Sequence, residues 1–402
     1  MTSADSTFDF DVVVVGGGGH VGLPLAIAFA DRGLTVCVYD VDDAAVKTIL
    51  GGELPFMENG AIEVLHRVLA AGRLDATTDA SVVGRGEHIV VVIGTPVDEH
   101  LNPDPHAVPR ALGECKQYFR PGQLLILRST VYPGVTRRVE RMVAEENLGI
   151  DVAFCPERIA EGRAMEELFS LPQIVSARTE EVRARAGQLF GHLTGSIVDL
   201  APEEAELAKL FTNTWRYIKF AAANQFYVMA NEQGLDFDRI RHALAQDYPR
   251  ASDMPGAGFA AGPCLFKDTM QLAAFTDNSF VLGHSAMLVN EGLPLYLVSK
   301  LEQKHDLANC RVGILGMAFK GESDDIRSSL SYKLKRILEF RARQVLCTDP
   351  YVTVDPHLQP LESVLANSDL LIIGAPHQQY RSLEPSIPVA DVWNLLGRGT
   401  TV

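Results

Sequence analysis

The sequence predicts an α/β protein in which two doubly wound domains are joined by a long central helix and further helices. Short β-branched strands alternate with helical patterns over residues 1–202, and the same alternation returns over residues 304–402. Between them, residues 203–303 are helical in pattern and open with a long stretch that lacks glycine and proline. Because strand–helix alternation is typical of parallel α/β sheets, we predict three domains with these limits.

The first domain begins with a β-branched run, Asp11–Gly16, as expected of a central strand buried on both faces. A glycine cluster and a helical pattern at 23–30 follow, and a second strand at 35–39 ends at Asp40. Further strands are predicted at 89–93, 124–127 and 152–154.

The central domain is predicted to open with one helix over residues 203–233, about eight or nine turns long at 3.6 residues per turn. Its apolar positions cover more than one stripe, which indicates a helix buried from several sides. Such a helix fits a position between domains and between subunits; the homodimer that we expect through it is what the family resemblance described below implies. Helical patterns continue to residue 303, broken by a loop at 255–263.

The last domain repeats the strand–helix alternation of the first domain over fewer residues. Its first strand runs into a glycine turn, as the first strand of the chain does. The predicted strands lie at 310–316, 345–349 and 370–374. We therefore predict a second α/β domain with its own crevice at the strand ends.

The composition excludes several classes of protein. The 402 residues carry a net charge of −15 at pH 7, which argues against nucleic acid or an anionic membrane as a partner. No apolar run approaches the roughly 20 residues of a spanning helix, and the polar segment 1–11 does not resemble a signal peptide. The six cysteines are dispersed, so we expect reduced thiols in a cytoplasmic protein, without a disulfide framework or a metal site.

The glycines of a dinucleotide-binding turn follow the first strand. Gly17, Gly19 and Gly22 have the spacing that allows a tight turn and a close approach to a pyrophosphate at a helix N-terminus. Asp40, at the end of the second strand, is placed to accept hydrogen bonds from the adenosine ribose. An acid there repels a 2′-phosphate, so the pattern favours NAD over NADP. The alternative is a glycine-rich structural turn.

Three other segments follow buried strands, where parallel sheets line their ligand crevice. They are Gly94-Thr95-Pro96, Ser129-Thr130 and Cys155–Gly162. The third holds two carboxylates, Glu157 and Glu161, four residues apart. The alternative in each case is an ordinary strand-ending turn.

Lys209 and Asn213 are spaced i, i+4 on the long helix and so share one face. They lie among apolar neighbours, where an uncompensated ammonium group is costly. An ammonium and an amide donor one turn apart can stabilise an alkoxide. The alternative is a lysine whose amine reaches solvent from a surface face.

The segment Gly262–Asp268 places a thiol, an ammonium and a carboxylate within five residues: Cys264, Lys267 and Asp268. An enzyme that moves one hydride has no need of a thiol. A thiolate becomes useful when an aldehyde must be held covalently, oxidised again and released by hydrolysis of a thioester. The alternative is a buried cysteine that acts as a small hydrophobe.

A second glycine turn opens the last domain. Gly316–Lys320 and Asp324–Ser329 place lysine and arginine near that turn, as a second diphosphate ligand would need. Surface charge is the alternative.

Taken in order, these segments resemble the nucleotide-sugar 6-dehydrogenase family, which includes UDP-glucose, GDP-mannose and UDP-N-acetylmannosamine dehydrogenases. The resemblance covers nearly the whole chain. It rests on Gly17–Pro24, Gly94–Pro96, Ser129–Gly134, Pro156–Gly162, Glu206–Asn213, Pro255–Asp268, Gly316–Ser329 and Asp349–Tyr351. It implies a Rossmann domain that binds NAD, a central helical dimerisation domain, and a second Rossmann-like domain that binds UDP. The implied reaction oxidises the sugar C6 hydroxyl to a carboxylate in two hydride transfers.

The resemblance also implies roles for individual residues. Cys264 would be the nucleophile, with Lys209 and Asn213 on the oxyanion. Asp268 would position or deprotonate the water, and Thr130 and Glu157 would assist the proton relay. The implied NAD contacts are Gly17, Gly19, His20, Val21, Gly22, Asp40, Lys47, Thr95, Pro96, Thr130, Glu161, Lys267 and Arg327. The implied substrate contacts are Glu157, Arg158, Lys209, Asn213, Gly258, Phe259, Cys264 and Lys320.

Three departures from the family pattern are present; the first is a minor change at the helix start, and the other two bear on the pocket and the sugar. His20 stands where tyrosine is usual, and Ala260-Ala261 stands where many members have Gly-Gly. Arg158-Ile159 replaces the Phe-Leu of UDP-glucose enzymes and resembles the N-acetylmannosamine branch. We expect oxidation of UDP-glucose to UDP-glucuronate, with UDP-N-acetylmannosamine or another nucleotide sugar as the alternative. Two further hypotheses are a two-electron dehydrogenase of the hydroxy-acid type and a catalytically silent sensor of NAD or a nucleotide sugar.

Overall fold

The computed structural model describes residues 8–95, 97, 98, 100 and 102–402. It divides into two compact units, Met1–Phe211 and Thr212–Val402, and the division falls inside one long helix. Both units are α/β, which confirms the predicted fold class. The predicted domain limits at residues 202 and 303 stay predictions.

In the part of the chain that the structure describes, the first unit is built on an eight-stranded sheet, five strands of which lie close to predicted ones. The strands are β1 Phe10–Val15, β2 Val36–Tyr39, β3 Leu74–Thr77, β4 Gly86–Val91, β5 Leu124–Leu127, β6 Asp151–Phe154, β7 Gln173–Ala177 and β8 Ile197–Leu200. Within the described residues their order is β3-β2-β1-β4-β5-β6-β7-β8. The sheet is parallel except that β7 pairs antiparallel with β6, so β7 and β8 run against the rest.

Helices cover both faces of this sheet. They are α1 Gly22–Asp31, α2 Asp43–Leu50, α3 Ala61–Ala70, α4 Ala107–Cys115, α5 Val135–Glu145, α6 Ala164–Ser170 and α7 Glu180–Gly191. Successive side chains of a strand point to opposite faces. Val12 and Val14 therefore join one hydrophobic core, and Val13 and Val15 join the other. The position of β1 between two cores explains its run of valines.

The second unit combines helices with a smaller sheet. Its helices are α8 Pro202–Glu232, which begins in the first unit, α9 Phe237–Ala245, α10 Leu265–Phe275, α11 Val281–Lys304, α12 Leu330–Glu339 and α13 Leu361–Asn367. Its strands are β9 Arg311–Leu315, β10 Gln344–Thr348, β11 Leu370–Ile373 and β12 Val389–Ala390. They form a parallel sheet in the order β10-β9-β11-β12.

The first turns of α8 are fixed to α5 by a buried carboxylate. Glu206 accepts hydrogen bonds from the backbone N–H groups of Gly134, at 2.7 Å, and Thr136, at 2.8 Å. These donors belong to the start of α5, where a negative charge is favourable. The carboxylate thereby fixes the part of α8 that carries Lys209.

Candidate active site

The first glycine turn has the geometry that a bound dinucleotide requires. A Cβ added at Gly22 would lie 2.5 Å from the Cα of Gly17, and one at Gly17 would lie 2.8 Å from the carbonyl oxygen of Val14. These two glycines therefore let α1 pack closely on the end of β1. A Cβ at Gly19 would meet nothing within 4 Å, so that face of the turn is open to a ligand. The turn fits a pyrophosphate at the N-terminus of α1.

Asp40 lies beside this turn at the end of β2. Its Oδ2 accepts a hydrogen bond from the Gly18 N–H at 2.8 Å, and its Oδ1 accepts one from the Asp42 N–H at 3.0 Å. The carboxylate is partly exposed and retains acceptor capacity for ribose hydroxyls. This arrangement is the one expected for NAD.

Several predicted cofactor residues are brought together in pairs. His20 Nε2 lies 2.9 Å from Glu161 Oε1, and the Thr95 hydroxyl donates to the Thr130 carbonyl at 2.6 Å. Val21 directly precedes α1. Pro96 lies outside the described residues.

Two other predicted cofactor residues make ion pairs with their own sequence neighbours. Lys47 lies on the exposed side of α2, where it pairs with Asp43 at 2.5 Å. Arg327 makes a two-pronged ion pair with Asp325, whose shortest distance is 2.6 Å. Cofactor contacts by Lys47 and Arg327 stay predictions.

Glu157 is the counter-ion of a buried arginine that the sequence analysis missed. The Arg128 guanidinium is fully buried and donates to Glu157 Oε2, to Gln173 Oε1 at 3.0 Å and to the Cys155 carbonyl at 2.9 Å. Glu157 Oε1 accepts the backbone N–H groups of Arg158 and Ile159. Both carboxylate oxygens are engaged, so a part in the proton relay would require one of these bonds to open. The sequence did offer a signal for this arginine: Arg128 is a charged residue directly after the apolar strand β5.

Arg158 also makes a structural contact. Its guanidinium donates to the carbonyl of Pro172, and burial lowers the pKa of Arg158 from its ordinary value. Its predicted substrate contact stays a prediction.

Lys209 and Asn213 are both buried and lie one turn apart on α8, as the sequence predicted. Asn213 Nδ2 donates to Asp268 Oδ2 at 2.6 Å. The Asp268 side chain is fully buried, and its Oδ1 lies 2.9 Å from Lys267 Nζ. An amide and an ammonium thus hold the carboxylate in one orientation. Its negative charge is paired, as a buried charge requires.

Cys264 directly precedes α10, and the Asp268 N–H donates to the Cys264 carbonyl at 2.9 Å. The N-terminus of a helix favours a negative charge and hence the thiolate form. Cys264 is exposed, whereas Cys37, Cys115, Cys155 and Cys347 are buried and Cys310 is half-buried. The interpretation of Cys264 as a buried hydrophobe is therefore wrong.

The loop before Cys264 packs on the second sheet. A Cβ at Gly262 would lie 2.6 Å from the Phe319 ring, so the glycine lets the loop backbone approach this ring closely. The Phe259 ring is 4% exposed and packs edge-on against Trp393, with the ring centroids 6.2 Å apart. Because that ring belongs to the hydrophobic core, a substrate contact by Phe259 would involve its main chain.

The second glycine turn is held by a carboxylate of its own domain. Asp349, at the end of β10, accepts hydrogen bonds from the Met317 N–H at 2.6 Å and the Ala318 N–H at 3.0 Å. The same oxygen lies 3.0 Å from His377 Nε2. An internal carboxylate thus accepts from two amides of the turn, and the predicted diphosphate ligand beside Lys320 and Arg327 stays a prediction. Lys320 follows the turn, with Nζ 5.5 Å from the Phe319 ring centroid.

Asp349 is held entirely by protein donors. Its other oxygen accepts the N–H groups of Tyr351, at 2.9 Å, and Val352, at 3.1 Å. Burial acts to raise the pKa of Asp349, but the hydrogen bonds from His377 and the backbone outweigh it and hold the pKa below its usual range. The carboxylate therefore stays ionised inside the turn.

The fold and the first glycine turn define an NAD-binding α/β oxidoreductase. Comparison with known proteins narrows the class. Residues 11–194, 203–291 and 313–398 match, in turn, the NAD binding domain, the central domain and the UDP binding domain of the UDP-glucose/GDP-mannose dehydrogenase family. The chain belongs to this family of NAD-dependent nucleotide-sugar dehydrogenases.

Individual relatives match over almost their full length. The chain is 31% identical over 386 residues to the UDP-N-acetyl-D-mannosamine dehydrogenase of Pyrococcus horikoshii, covering 92% of this chain and 90% of the relative. It is 29% identical to the enzyme of the same name from Yersinia pestis, covering 94% and 96%. The structure of a UDP-glucose dehydrogenase from Pyrobaculum islandicum superposes with a TM-score of 0.89 at 28% identity, covering 97% and 95%. Along the described residues, no helix is long and apolar enough to cross a lipid bilayer.

Proposed function

We propose that this protein oxidises the C6 hydroxyl of a UDP-hexose to a carboxylate in two successive NAD-dependent steps. One observation carries the proposal: Cys264 is exposed at the N-terminus of α10, one turn before a buried carboxylate, Asp268, that Asn213 orients. A thiol at this place has no use in a single hydride transfer. It is useful for holding an aldehyde between two oxidations.

NAD, when bound at the first glycine turn, accepts one hydride in each oxidation. Lys209 and Asn213 supply the donors that stabilise the negative charge on the C6 oxygen, whose proton passes to water through the relay that Thr130 and Glu157 assist before the hydride leaves. Asp40 and the glycines of the turn orient the cofactor. Thr95 and Thr130, at adjacent strand ends, line the same crevice of the first unit.

The thiolate of Cys264 adds to the C6 carbon of the aldehyde, so that a C–S bond forms and the oxygen carries the charge. Loss of the second hydride from this thiohemiacetal gives a thioester on Cys264. Asp268 then positions a water, or takes its proton, and the water oxygen attacks the thioester carbon. The C–S bond breaks, the thiolate leaves, and the sugar departs as a carboxylate.

The relatives bear on the identity of the sugar. Two of them bear the name UDP-N-acetyl-D-mannosamine dehydrogenase, and Arg158-Ile159 follows the pattern of that branch. We therefore place UDP-N-acetyl-D-mannosamine first. UDP-glucose, the expectation from the sequence, is the second candidate and is supported by the likeness to the Pyrobaculum islandicum enzyme.

We further propose that the enzyme is a homodimer through α8. An apolar stripe on this helix is exposed, with Trp215 at 58% and Met229 at 57%, and Phe226 lies between them on the same face. On α11, Leu288 is 68% exposed and shares a face with Leu295, two turns further on. A second copy of the chain would bury these side chains.

The count of NADH formed per sugar consumed tests the chemistry. With excess NAD, we expect two NADH per molecule on UDP-N-acetyl-D-mannosamine or UDP-glucose. Cys264→Ser should lower that count to one or less, because the aldehyde is no longer held for the second oxidation. Cys310→Ser, a second thiol outside the site, should leave the count at two. One NADH per sugar in the wild type would support a two-electron dehydrogenase instead, and binding without turnover would support a sensor.

A further inference from the structure

Asn224 lies in the middle of α8 and is fully buried. Its side chain binds both polar backbone groups of one residue. The Gly258 N–H donates to Asn224 Oδ1 at 2.9 Å, and Asn224 Nδ2 donates to the Gly258 carbonyl at 3.0 Å. A backbone N–H can only donate, so these bonds fix which end of the amide is the oxygen. Asn224 therefore pairs with Gly258 as a neighbouring β-strand would.

A second buried amide holds the first. Asn224 Nδ2 also donates to Asn290 Oδ1 at 3.0 Å, and Asn290 Nδ2 donates to the Tyr217 carbonyl at 3.1 Å. Asn290 lies on α11 and is fully buried as well. Both hydrogens of the Asn224 amide are thus used, one on the loop and one on α11. Buried amides that bond one another and the backbone favour a single geometry.

Gly258 is enclosed from its other side by an aromatic ring. Its φ is +149°, which side-chain-bearing residues rarely adopt, and a Cβ there would lie 2.2 Å from the Trp393 ring. The Trp393 Nε1–H donates to the Ile373 carbonyl at 3.2 Å, so the ring is fixed to the end of β11. The Gly258 backbone therefore lies between a fixed amide and a fixed ring.

The loop from Pro255 to Pro263 needs such support. It contains three glycines, Gly256, Gly258 and Gly262, and glycine loses the most conformational freedom when a chain is ordered. The loop leads directly to Cys264. A small displacement of a reacting group is costly to catalysis even when its origin is remote.

We propose that Asn224, held by Asn290, is a positioning residue. It fixes the main chain of Gly258, and the fixed loop in turn determines where Cys264 lies. The effect on the loop follows from geometry alone. The effect on turnover rests on the proposed function.

The kinetic test compares two buried asparagines of one helix. Asn231, two turns beyond Asn224, binds the Tyr296 hydroxyl and the Val402 N–H instead of the loop. Asn224→Ala should lower kcat about 100-fold through misplacement of the loop, with the KM for NAD unchanged. Asn231→Ala should lose thermal stability to a similar degree and retain kcat. Equal losses of kcat in the two variants, or full kcat in Asn224→Ala, would overturn the proposal.

A second readout needs no substrate. In Asn224→Ala, backbone hydrogen exchange should speed up over residues 255–264, and the rate of Cys264 alkylation by iodoacetamide should change. Asn231→Ala should leave both as in the wild type. If the wild type oxidises no nucleotide sugar, the proposed function fails while this comparison still decides whether Asn224 holds the loop. Unchanged exchange in Asn224→Ala would show that it does not.

Milder variants keep the test decisive if Asn224→Ala does not fold. Asn224→Asp keeps an acceptor for the Gly258 N–H and removes the donor to its carbonyl. Asn290→Ala keeps both bonds to Gly258 and removes only their support. We expect smaller losses of kcat in both, with Asn224→Asp the more impaired. Wild-type kcat and wild-type loop exchange in both variants would refute the positioning role.

Discussion

The two units each place an aspartate at the end of the strand beside their first strand, and the two carboxylates have opposite uses. Asp40 is partly exposed and bonds one amide of its glycine turn, that of Gly18. The Asp349 side chain is buried and bonds two amides of its turn, a histidine and two further backbone N–H groups. The same topology therefore yields one aspartate that keeps acceptor capacity for a ligand and one whose oxygens are satisfied by its own chain. Strand order and glycine position alone do not reveal how the aspartate beside a turn is used.

Replacing each aspartate by alanine tests the difference between them, and the largest effect that we expect is on the free energy of unfolding. Asp349→Ala leaves His377 and four backbone donors without their acceptor, so the free energy of unfolding should fall by about 3–5 kcal/mol, as when a buried pair loses one partner. Asp40→Ala should change it by about 1 kcal/mol or less, because its donors are nearer to solvent. Urea denaturation of both variants measures the difference. Equal losses would mean that the second turn is not held by its carboxylate.

A smaller effect concerns the cofactor. Asp40→Ala should weaken NAD binding by about 10- to 100-fold, which corresponds to the loss of hydrogen bonds to a charged acceptor, and should relax the rejection of NADP. Titration with each cofactor measures both changes. Glu63→Ala removes an exposed acid on α3 of the same unit and should leave the preference as it is. A variant at Asp40 with the wild-type preference would contradict the assignment to the ribose.

The smallest effect is the pH dependence of stability. The pKa of Asp349 is depressed in the folded protein, so its ionised form contributes stability above the unfolded-state value of about 4. That contribution is lost as the pH falls toward and through the folded-state pKa. The difference in unfolding free energy between the wild type and Asp349→Asn should therefore shrink below about pH 4. Urea denaturation between neutral and acidic pH measures it, and a difference that stays constant would exclude the linkage.

The sequence predicted the elements whose pattern is continuous. The valines of β1, the glycines before α1 and the unbroken stretch of α8 each carry a local signal, and all three elements lie where they were expected. Among the described residues, four strands were missed: β3, β8 and β12 lie at sheet edges, and β7 lies between β6 and β8. β7 holds Gln173 and Ser176 among its buried residues, so it lacks a continuous apolar run, and its antiparallel pairing has no local signal.

The candidate site also contains features that have a local sequence signal and contacts that have none. The placement of Cys264 before a helix and the pairing of Lys209 with Asn213 on one helix follow from spacing. The bond from Asn213 to Asp268 joins residues 55 positions apart, and no periodicity reports such a contact. Partners of this kind depend on how elements pack, which a single sequence does not encode locally.

The six thiols differ in burial. A reagent that labels Cys264 could therefore count the chains whose Cys264 thiol is intact. Burial raises the pKa of Cys37, Cys155 and Cys347 to about 12, and it also raises the pKa of Cys115 and Cys310. A thiol reagent used sparingly at neutral pH should therefore consume one equivalent per chain. A preparation could then be assayed for its fraction of intact Cys264 thiol before any sugar is supplied, and oxidative damage during storage would register as missing equivalents.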